Sequence, residues 1–286
     1  MDWLAEPAAL AGVAALFGLV VGSFLNVVIL RLPARLMHEW RAQGREALDL
    51  PADAEQAPPD LVFRRSHCPG CKHALSALDN IPLLSFLALR GRCRYCHARI
   101  SWQYPVVEAA TGVASAACAL HFGLVPALLG ALVLTWILIA LTAIDVRTQL
   151  LPDQLTLPLL WIGLLAATHS WYVDPVTAIL GAVVGYLSLW SVYWMFKLAT
   201  GKEGMGYGDF KLLAAIGAFV GWQGILPVLL LSSLIGAVVG SVWLAVKGRD
   251  RATPIPFGPY LAAAGWVQLL FGAQLIDRWQ QLSGMQ

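Results

Sequence analysis

The sequence predicts an all-α membrane protein, a polytopic helix bundle of about eight transmembrane helices with a small cytoplasmic domain. Of its 286 residues, 58% are hydrophobic and only 13% are charged, whereas an average soluble domain is about 25% charged. Apolar stretches long enough to cross a bilayer of about 30 Å recur along the chain, and none shows the alternating pattern of a barrel strand. Because a backbone in hydrocarbon satisfies its own hydrogen bonds, these stretches are expected to be α-helices.

Eight apolar segments account for the predicted helices. The first, 8–30, is not preceded by a basic region and is therefore expected to remain as a membrane helix, not to be removed as a signal peptide. The others are 105–122, 126–144, 155–173, 176–196, 210–222, 225–246 and 256–276. The segment 210–222 is short and contains glycine, so a single helix over 210–231 is the alternative.

Basic residues give the orientation, because Lys and Arg near helix ends are retained on the cytoplasmic side. More than half of the 19 Lys and Arg residues lie within 31–103, so this segment is predicted to be cytoplasmic and the N-terminus to be outside. Eight helices then place every Lys and Arg except Arg278 inside. The predicted division is a first transmembrane helix, 1–30, a cytoplasmic domain, 31–103, and a transmembrane bundle, 104–286. The polar, proline-bearing residues 38–60 are expected to form a flexible insert.

Four of the five cysteines form two Cys-x-x-Cys pairs, Cys68 with Cys71 and Cys93 with Cys96. A tight turn can direct both sulfurs of one pair to a tetrahedral ion, and the second pair completes the site. Disulfides are less favoured in a cytoplasmic segment, and redox chemistry or a set of unpaired thiols would also fit the pairs. The spacing predicts a structural, zinc-ribbon-like site, since four thiolates leave no position for a catalytic water.

Two acids lie at the predicted cytoplasmic ends of apolar segments, where a carboxylate is costly. Asp145 ends the segment LTWILIALTAID, and Asp209 follows GMGYG and begins the short helix. Two carboxyls that share one proton can act as base and acid on a peptide bond, because like charges about 3 Å apart cannot both ionise. The alternatives are a helix cap, a dipole partner or simple hydration at the membrane boundary.

Five other residues have candidate roles. Gly206 and Gly208 are expected to adopt positive φ and to let the backbone approach an extended substrate. Glu108 is either a third functional acid or a snorkelling neighbour. Lys211 is either a counter-charge or a basic anchor at the membrane face, and Asp153 fits a helix-capping role.

Seven segments, in order along nearly the whole chain, resemble the type IV prepilin peptidases, which are membrane aspartyl proteases of the GxGD kind. The segments are GSFLNVVILRLP at 22–33, the paired cysteines, NIPLLSFLALRGRC at 80–93, ISWQYPVVE at 100–108, AIDVRTQLLPD at 143–153, GMGYGDFKL at 204–212 and PFGPYLA at 256–262. The resemblance places the catalytic acids of that family on Asp145 and Asp209.

The resemblance implies a bacterial inner-membrane enzyme that cleaves the leader of type IV prepilins and of type II secretion pseudopilins, after a Gly, at the cytoplasmic face. Family members with the four-cysteine domain also methylate the new N-terminal amine with S-adenosylmethionine. The resemblance gives Gly91 as a candidate for methyl transfer, and Glu108 and Lys211 are further candidates for this or a supporting role. The expected partners are prepilins, pseudopilins and membrane lipids, and no nucleic acid.

Three different functions stay open at the level of sequence. The first is a peptidase without methyl transfer. The second is a proton-coupled transporter, which would usually place its acids near the bilayer midplane. The third is an assembly scaffold, in which the cysteine domain binds partners and the acids serve only as caps.

Overall fold

The computed structural model describes residues 6–51, 56–62, 66–76, 78–247 and 256–283. Six of the basic residues used to predict the topology lie outside this part of the chain, wholly or in their side chains: Arg64, Arg65, Lys247, Arg249, Arg251 and Arg278.

The long elements are all helical, which confirms the predicted all-α fold. The α-helices are α1 Pro7–Ala47, α2 Leu84–Ala88, α3 Gln103–Phe122, α4 Pro126–Thr148, α5 Asp153–Thr168, α6 Pro175–Thr200, α7 Tyr207–Lys247 and α8 Gly258–Ser283. Within the described residues, five of these helices are long and apolar enough to cross a membrane, namely α1, α3, α4, α6 and α7, and α5 is apolar but shorter. The chain is therefore a multi-pass membrane protein.

The first helix is longer than its apolar segment. It contains 41 residues, which corresponds to about 60 Å at 1.5 Å per residue, or twice the thickness of the hydrocarbon core. Residues 38–47 continue this helix, so the predicted flexible insert is wrong for that part of 38–60.

A single glycine interrupts α7. Gly221 has φ 74° and ψ 173°, which no helical residue adopts, and it separates the segments 207–220 and 222–247. A side chain would be strained at this φ, and an ideal Cβ on Gly221 would lie 2.6 Å from Cγ2 of Thr177. The break agrees with the predicted division of this region into a short helix and a longer one.

The chain divides into two compact units, and the boundary in the sequence falls between Leu120 and His121. In the first unit, α1 and α3 pack closely through small residues. An ideal Cβ on Gly18 would lie 2.5 Å from Oγ of Ser115, and one on Gly22 would lie 2.8 Å from Cα of Glu108. The small face in GLVVGSFLN thus has the helix-packing role expected of such faces in membranes.

In the second unit, α7 occupies the centre and packs against α5, α6 and α8, while α4 packs against α5 and α8. Gly181 of α6 and Gly217 of α7 meet backbone to backbone, and an ideal Cβ on Gly185 would lie 2.6 Å from the carbonyl oxygen of Leu213. The first part of α7 is deeply buried, with Phe210, Leu212 and Leu213 fully enclosed. This packing holds the beginning of α7, where Asp209 lies, in one position.

Candidate functional site

Asp145 lies in the last turn of α4 and is 4% exposed. Its Oδ2 accepts a hydrogen bond of 3.0 Å from the backbone N–H of Gly258. Gly258 is the first residue of α8, so its N–H has no partner within the helix and lies at the positive end of the helix dipole. A buried carboxylate is therefore held by a helix N-terminus from a segment 113 residues away.

Asp209 lies in the first turn of α7 and is 7% exposed. The Gly206 backbone forms a hydrogen bond to its carboxyl, which is the contact expected of an acid that caps a helix. Its other oxygen, Oδ1, is buried and has no hydrogen-bond partner among the described residues. A capping role explains one oxygen of Asp209 but not the second. Buried polar atoms rarely lack a hydrogen-bond partner.

The structure brings these two carboxyls together. Their neighbours share one side chain, Leu151, in the connection between α4 and α5. An ideal Cβ on Gly208 would lie 2.6 Å from Cβ of Leu151, and one on Gly258 would lie 3.1 Å from Cδ2 of Leu151. Two acids 64 positions apart in the chain therefore lie near each other at one end of the second unit.

The glycines before Asp209 differ from expectation. Within the described residues, the glycines with positive φ are Gly91, Gly123, Gly201 and Gly221, so the prediction of positive φ at Gly206 and Gly208 is wrong. Gly208 is explained instead by its close approach to Leu151. An ideal Cβ on Gly206 would have no neighbour closer than 4.0 Å, which leaves open space beside the carboxyl of Asp209.

Lys211 does not contact Asp209 in this structure. Its Nζ donates to both carboxylate oxygens of Asp153, at 2.7 Å each. Asp153 is the first residue of α5, and the capping position is Pro152, without a side-chain hydrogen bond. The capping role predicted for Asp153 is therefore wrong, since its carboxylate joins the beginnings of α5 and α7 in an ion pair.

The four cysteines form a compact cluster in the first unit. Their four Sγ atoms all lie within 4.8 Å of one another, and Sγ of Cys68 and Sγ of Cys96 are 3.7 Å apart. Thiolates at about 2.3 Å from a tetrahedral zinc ion would be separated by close to this distance, whereas a disulfide requires about 2.05 Å. The donor set fits one tetrahedral metal ion.

The two cysteine pairs have the same local fold. The N–H of Cys68 donates to the carbonyl of His73 at 2.9 Å, and the N–H of Cys93 donates to the carbonyl of Ala98 at 2.9 Å. One isolated antiparallel β-bridge closes each turn, between His67 and Ala74 in the first and between Arg92 and Arg99 in the second. Backbone N–H groups also reach the sulfur of Cys68, and the hydrogen bond from Cys71 lowers the pKa of that thiol to about 6. The first turn therefore favours the thiolate of Cys68, and the thiolate is the form of cysteine that binds metal.

The structure gives local explanations for Gly91 and Glu108. Gly91 has φ 68° in the turn between α2 and Cys93, a conformation that favours glycine. Glu108 is 7% exposed in α3 and accepts a hydrogen bond of 2.9 Å from the N–H of Leu83, a residue with φ 57°. Glu108 therefore holds a strained residue at the beginning of α2 and is not a snorkelling side chain.

Two residues of the site were not identified from the sequence. Gly258 lies in PFGPYLA, a segment that carries the family resemblance without an expected role, and Leu151 lies in AIDVRTQLLPD. The signal for Gly258 is a glycine that begins an apolar helix directly after an apolar turn, where an N–H is free to bind an acid. Leu151 gives no such signal, because its importance comes only from packing.

Proteins similar to this chain are known over nearly its whole length. Residues 16–122 match the Bacterial Peptidase A24 N-terminal domain, and residues 132–241 match the Type IV leader peptidase family. The chain is 54% identical over 272 residues, 95% of each chain, to the prepilin leader peptidase/N-methyltransferase of Xanthomonas campestris pv. campestris. It is 53% identical to the protein of the same name from Stutzerimonas stutzeri and 52% identical to that from Pseudomonas aeruginosa, with 99% of this chain and 98% of each relative covered. No solved structure matches the chain.

Proposed function

The chain belongs to the type IV leader peptidase family, and from this premise we propose that it is a membrane aspartic endopeptidase and N-methyltransferase acting on prepilins. The enzyme cleaves the leader peptide after a Gly and methylates the new N-terminal amine. Asp145 and Asp209 are the catalytic acids. The observation that carries this assignment is the unpartnered, buried Oδ1 of Asp209 beside a second buried carboxyl.

The contacts of the two acids differ, and the difference assigns their roles. Asp145 receives the N–H of Gly258, which stabilises its ionised form. Oδ1 of Asp209 receives no donor from the described residues, so the shared proton is best placed there, because a neutral hydroxyl loses less by burial than an unpartnered anion. Asp145 is therefore the base and Asp209 the acid when the substrate arrives.

Cleavage then follows from these two positions. The oxygen of a water molecule attacks the carbonyl carbon of the leader Gly, Asp145 takes the proton of this water, and Asp209 donates its proton to the carbonyl oxygen. As the tetrahedral intermediate collapses, the C–N bond breaks, Asp145 passes its proton to the leaving amine, and Asp209 recovers a proton from the hydroxyl. No covalent enzyme intermediate forms.

The cysteine cluster holds zinc in a structural role. Cys68, Cys71, Cys93 and Cys96 would be its ligands, and four thiolates complete the tetrahedron. The ion would fix the two similar turns to each other. No step of peptide cleavage uses it.

Methyl transfer uses S-adenosylmethionine as the second substrate, with type IV prepilins and type II secretion pseudopilins as the protein substrates. The neutral amine released by cleavage would attack the donor's methyl carbon, the carbon–sulfur bond would break with the neutral thioether S-adenosylhomocysteine as the leaving group, and the methylated nitrogen would lose a proton to water. Gly91, Glu108 and Lys211 are candidates for this half of the reaction or for support of the site.

The enzyme lies in the bacterial inner membrane, with its N-terminus outside and its active site at the cytoplasmic face, in contact with membrane lipids. Residues 31–103 are the proposed cytoplasmic domain between the helix 1–30 and the bundle 104–286.

One assay tests the catalytic assignment. Purified protein in detergent is incubated with a prepilin and S-adenosylmethionine labelled in its methyl group, and both leader loss and methyl incorporation are followed by mass spectrometry. Asp145→Asn and Asp209→Asn are expected to reduce cleavage by at least about 1,000-fold. The matched control is Asp153→Asn, which removes an exposed acid from the same end of the second unit and is expected to cleave within about threefold of the parent.

The outcomes separate the competing functions. A parent protein that does not cleave prepilin would support transport or scaffolding. Cleavage without label in the mature product would leave a peptidase without methyl transfer. Full activity of either Asn variant would remove the acid pair from the mechanism.

Metal analysis tests the cysteine site. The parent is expected to contain about one zinc ion per chain, and Cys93→Ser is expected to lose it. Cys118→Ala is the matched control, because Cys118 is buried in α3 outside the cluster. A parent without zinc, or a Cys93→Ser variant with full zinc content, would contradict the structural site.

A further inference from the structure

An apolar groove lies between α2 and the beginning of α3 in the first unit. Its volume is about 290 Å³, and its walls come from Leu83, Phe86 and Leu87 on one side and Trp102, Pro105 and Val106 on the other. The rings of Phe86 and Trp102 meet with centroids 5.1 Å apart. Two of these apolar residues are largely exposed, Trp102 at 72% and Leu87 at 70%.

The groove is continuous with a membrane span. Gln103 begins α3, which is long and apolar enough to cross a bilayer, and Trp102 directly precedes it. Tryptophan at the end of a span usually lies at the level of the lipid headgroups. A groove beside this tryptophan is expected to lie near the boundary between acyl chains and headgroups, and its lining includes Pro105 and Val106 of α3.

The segment that follows α2 carries positive charges, the sign that is attracted to anionic phospholipids. Arg90 follows α2, and Arg92 and Arg99 lie a few residues further on, at the second cysteine pair; all three are exposed. Basic residues next to a membrane span are attracted to the anionic surface of the cytoplasmic leaflet. An apolar groove whose helix α2 is followed in the chain by exposed arginines has the pattern of an interfacial membrane contact.

We infer that α2 and Trp102 lie in the membrane interface, with a phospholipid acyl chain in the groove and the neighbouring arginines at the headgroup phosphates. The short connection through Gly91 joins α2 to Cys93, so the second cysteine pair is held next to the bilayer surface. The segment from α2 to α3 is then a membrane-seated part of the first unit. This inference does not depend on the methyl-transfer half of the proposed function.

Photo-crosslinking tests the inference with the full chain. The residue p-benzoylphenylalanine is introduced in separate variants at Leu87 and at Leu84, which is 65% exposed on the same helix. The control position is Lys72, an exposed residue of the first cysteine turn. Each variant is reconstituted into vesicles of phosphatidylethanolamine and phosphatidylglycerol with tritiated acyl chains, and prepilin cleavage confirms that it is folded.

Position 87 or 84 is expected to take up at least about five times as much lipid label as position 72. Label at both positions no higher than at position 72 would overturn the inference. So would crosslinks from both positions to added prepilin that replace the lipid label, because the groove would then be a docking site for the substrate. Two positions keep the test decisive if one variant does not fold.

Discussion

The contact between Gly258 and Asp145 allows the effect of one methyl group to be worked out. An ideal Cβ at position 258 would lie 2.6 Å from Oδ2 of Asp145, and ordinary van der Waals contact begins at 3.4 Å. Gly258→Ala would therefore move the carboxylate and the N-terminus of α8 apart by about 0.8 Å. The hydrogen bond between them, 3.0 Å in the parent, would be lost or badly stretched.

The size of the expected effect follows from that bond. A hydrogen bond to a charged group contributes about 1.5–3 kcal/mol, and each 1.36 kcal/mol is a factor of ten in rate. Because this bond stabilises ionised Asp145, its loss lowers the fraction of enzyme in which Asp145 is ionised and Asp209 carries the proton, so Gly258→Ala is expected to lower kcat for prepilin cleavage by about 10- to 100-fold. KM should stay within about threefold, because the change affects the reacting groups and not the binding of the substrate helix.

Initial rates over a range of prepilin concentrations, in detergent, provide the measurement. The matched control is Gly163→Ala, whose ideal Cβ would lie 2.7 Å from the ring of Phe219 in the core of the same unit. This control is expected to lower the thermal midpoint of unfolding and to leave kcat of the folded enzyme nearly unchanged. A Gly258→Ala enzyme with kcat within twofold of the parent would refute the role assigned to this N–H.

Two further predictions concern charged residues outside the acid pair. Hydrogen bonds from Ser76 and the ion pair with Arg94 lower the pKa of Asp79 to about 2. Asp79→Asn is therefore expected to lower the thermal midpoint by a few degrees at neutral pH. This difference should disappear as the pH falls from about 4, the pKa of an aspartate in the unfolded chain, through 2. Thermal unfolding followed by circular dichroism provides the measurement. A difference that is undiminished at pH 2 would contradict the cause given. Lys211→Met is expected to cost at most about 1 kcal/mol of stability and to leave kcat for prepilin cleavage within threefold of the parent. The reason is that Lys211 pairs with Asp153, and their side chains are 30% and 49% exposed. A 100-fold loss of kcat would show that Lys211 acts on the acid pair.

Much of the candidate site could be predicted because its signals are local in the chain. Hydropathy locates a helix without knowledge of its neighbours, and a break in α7 follows from the short, glycine-containing segment before Gly221. The cysteine turns are also local, since each Cys-x-x-Cys pair forms its own hydrogen bonds. Asp145 and Asp209 are conspicuous because a carboxylate at the end of an apolar helix is costly wherever that helix packs.

Other features depend on contacts that no local pattern contains. Lys211 forms its ion pair with Asp153, 58 positions away, and not with Asp209, which is closer in the sequence. Gly208 and Gly206 look alike in the sequence, yet only Gly208 is restricted by a side chain from another segment. The helical path of 38–47 is not predicted either, because a polar composition does not show that α1 continues beyond its apolar part.

The sequence by itself determined that this protein is an all-α membrane bundle with a four-cysteine site and two acids at helix ends, since each of these depends on residue type and spacing along one segment. The tertiary structure alone decided that the N–H of Gly258 holds Asp145, that Oδ1 of Asp209 lies buried without a partner among the described residues, and that Leu151 packs against the glycines beside both acids. The physical reason is that packing between helices selects these contacts from many that the same segments could form.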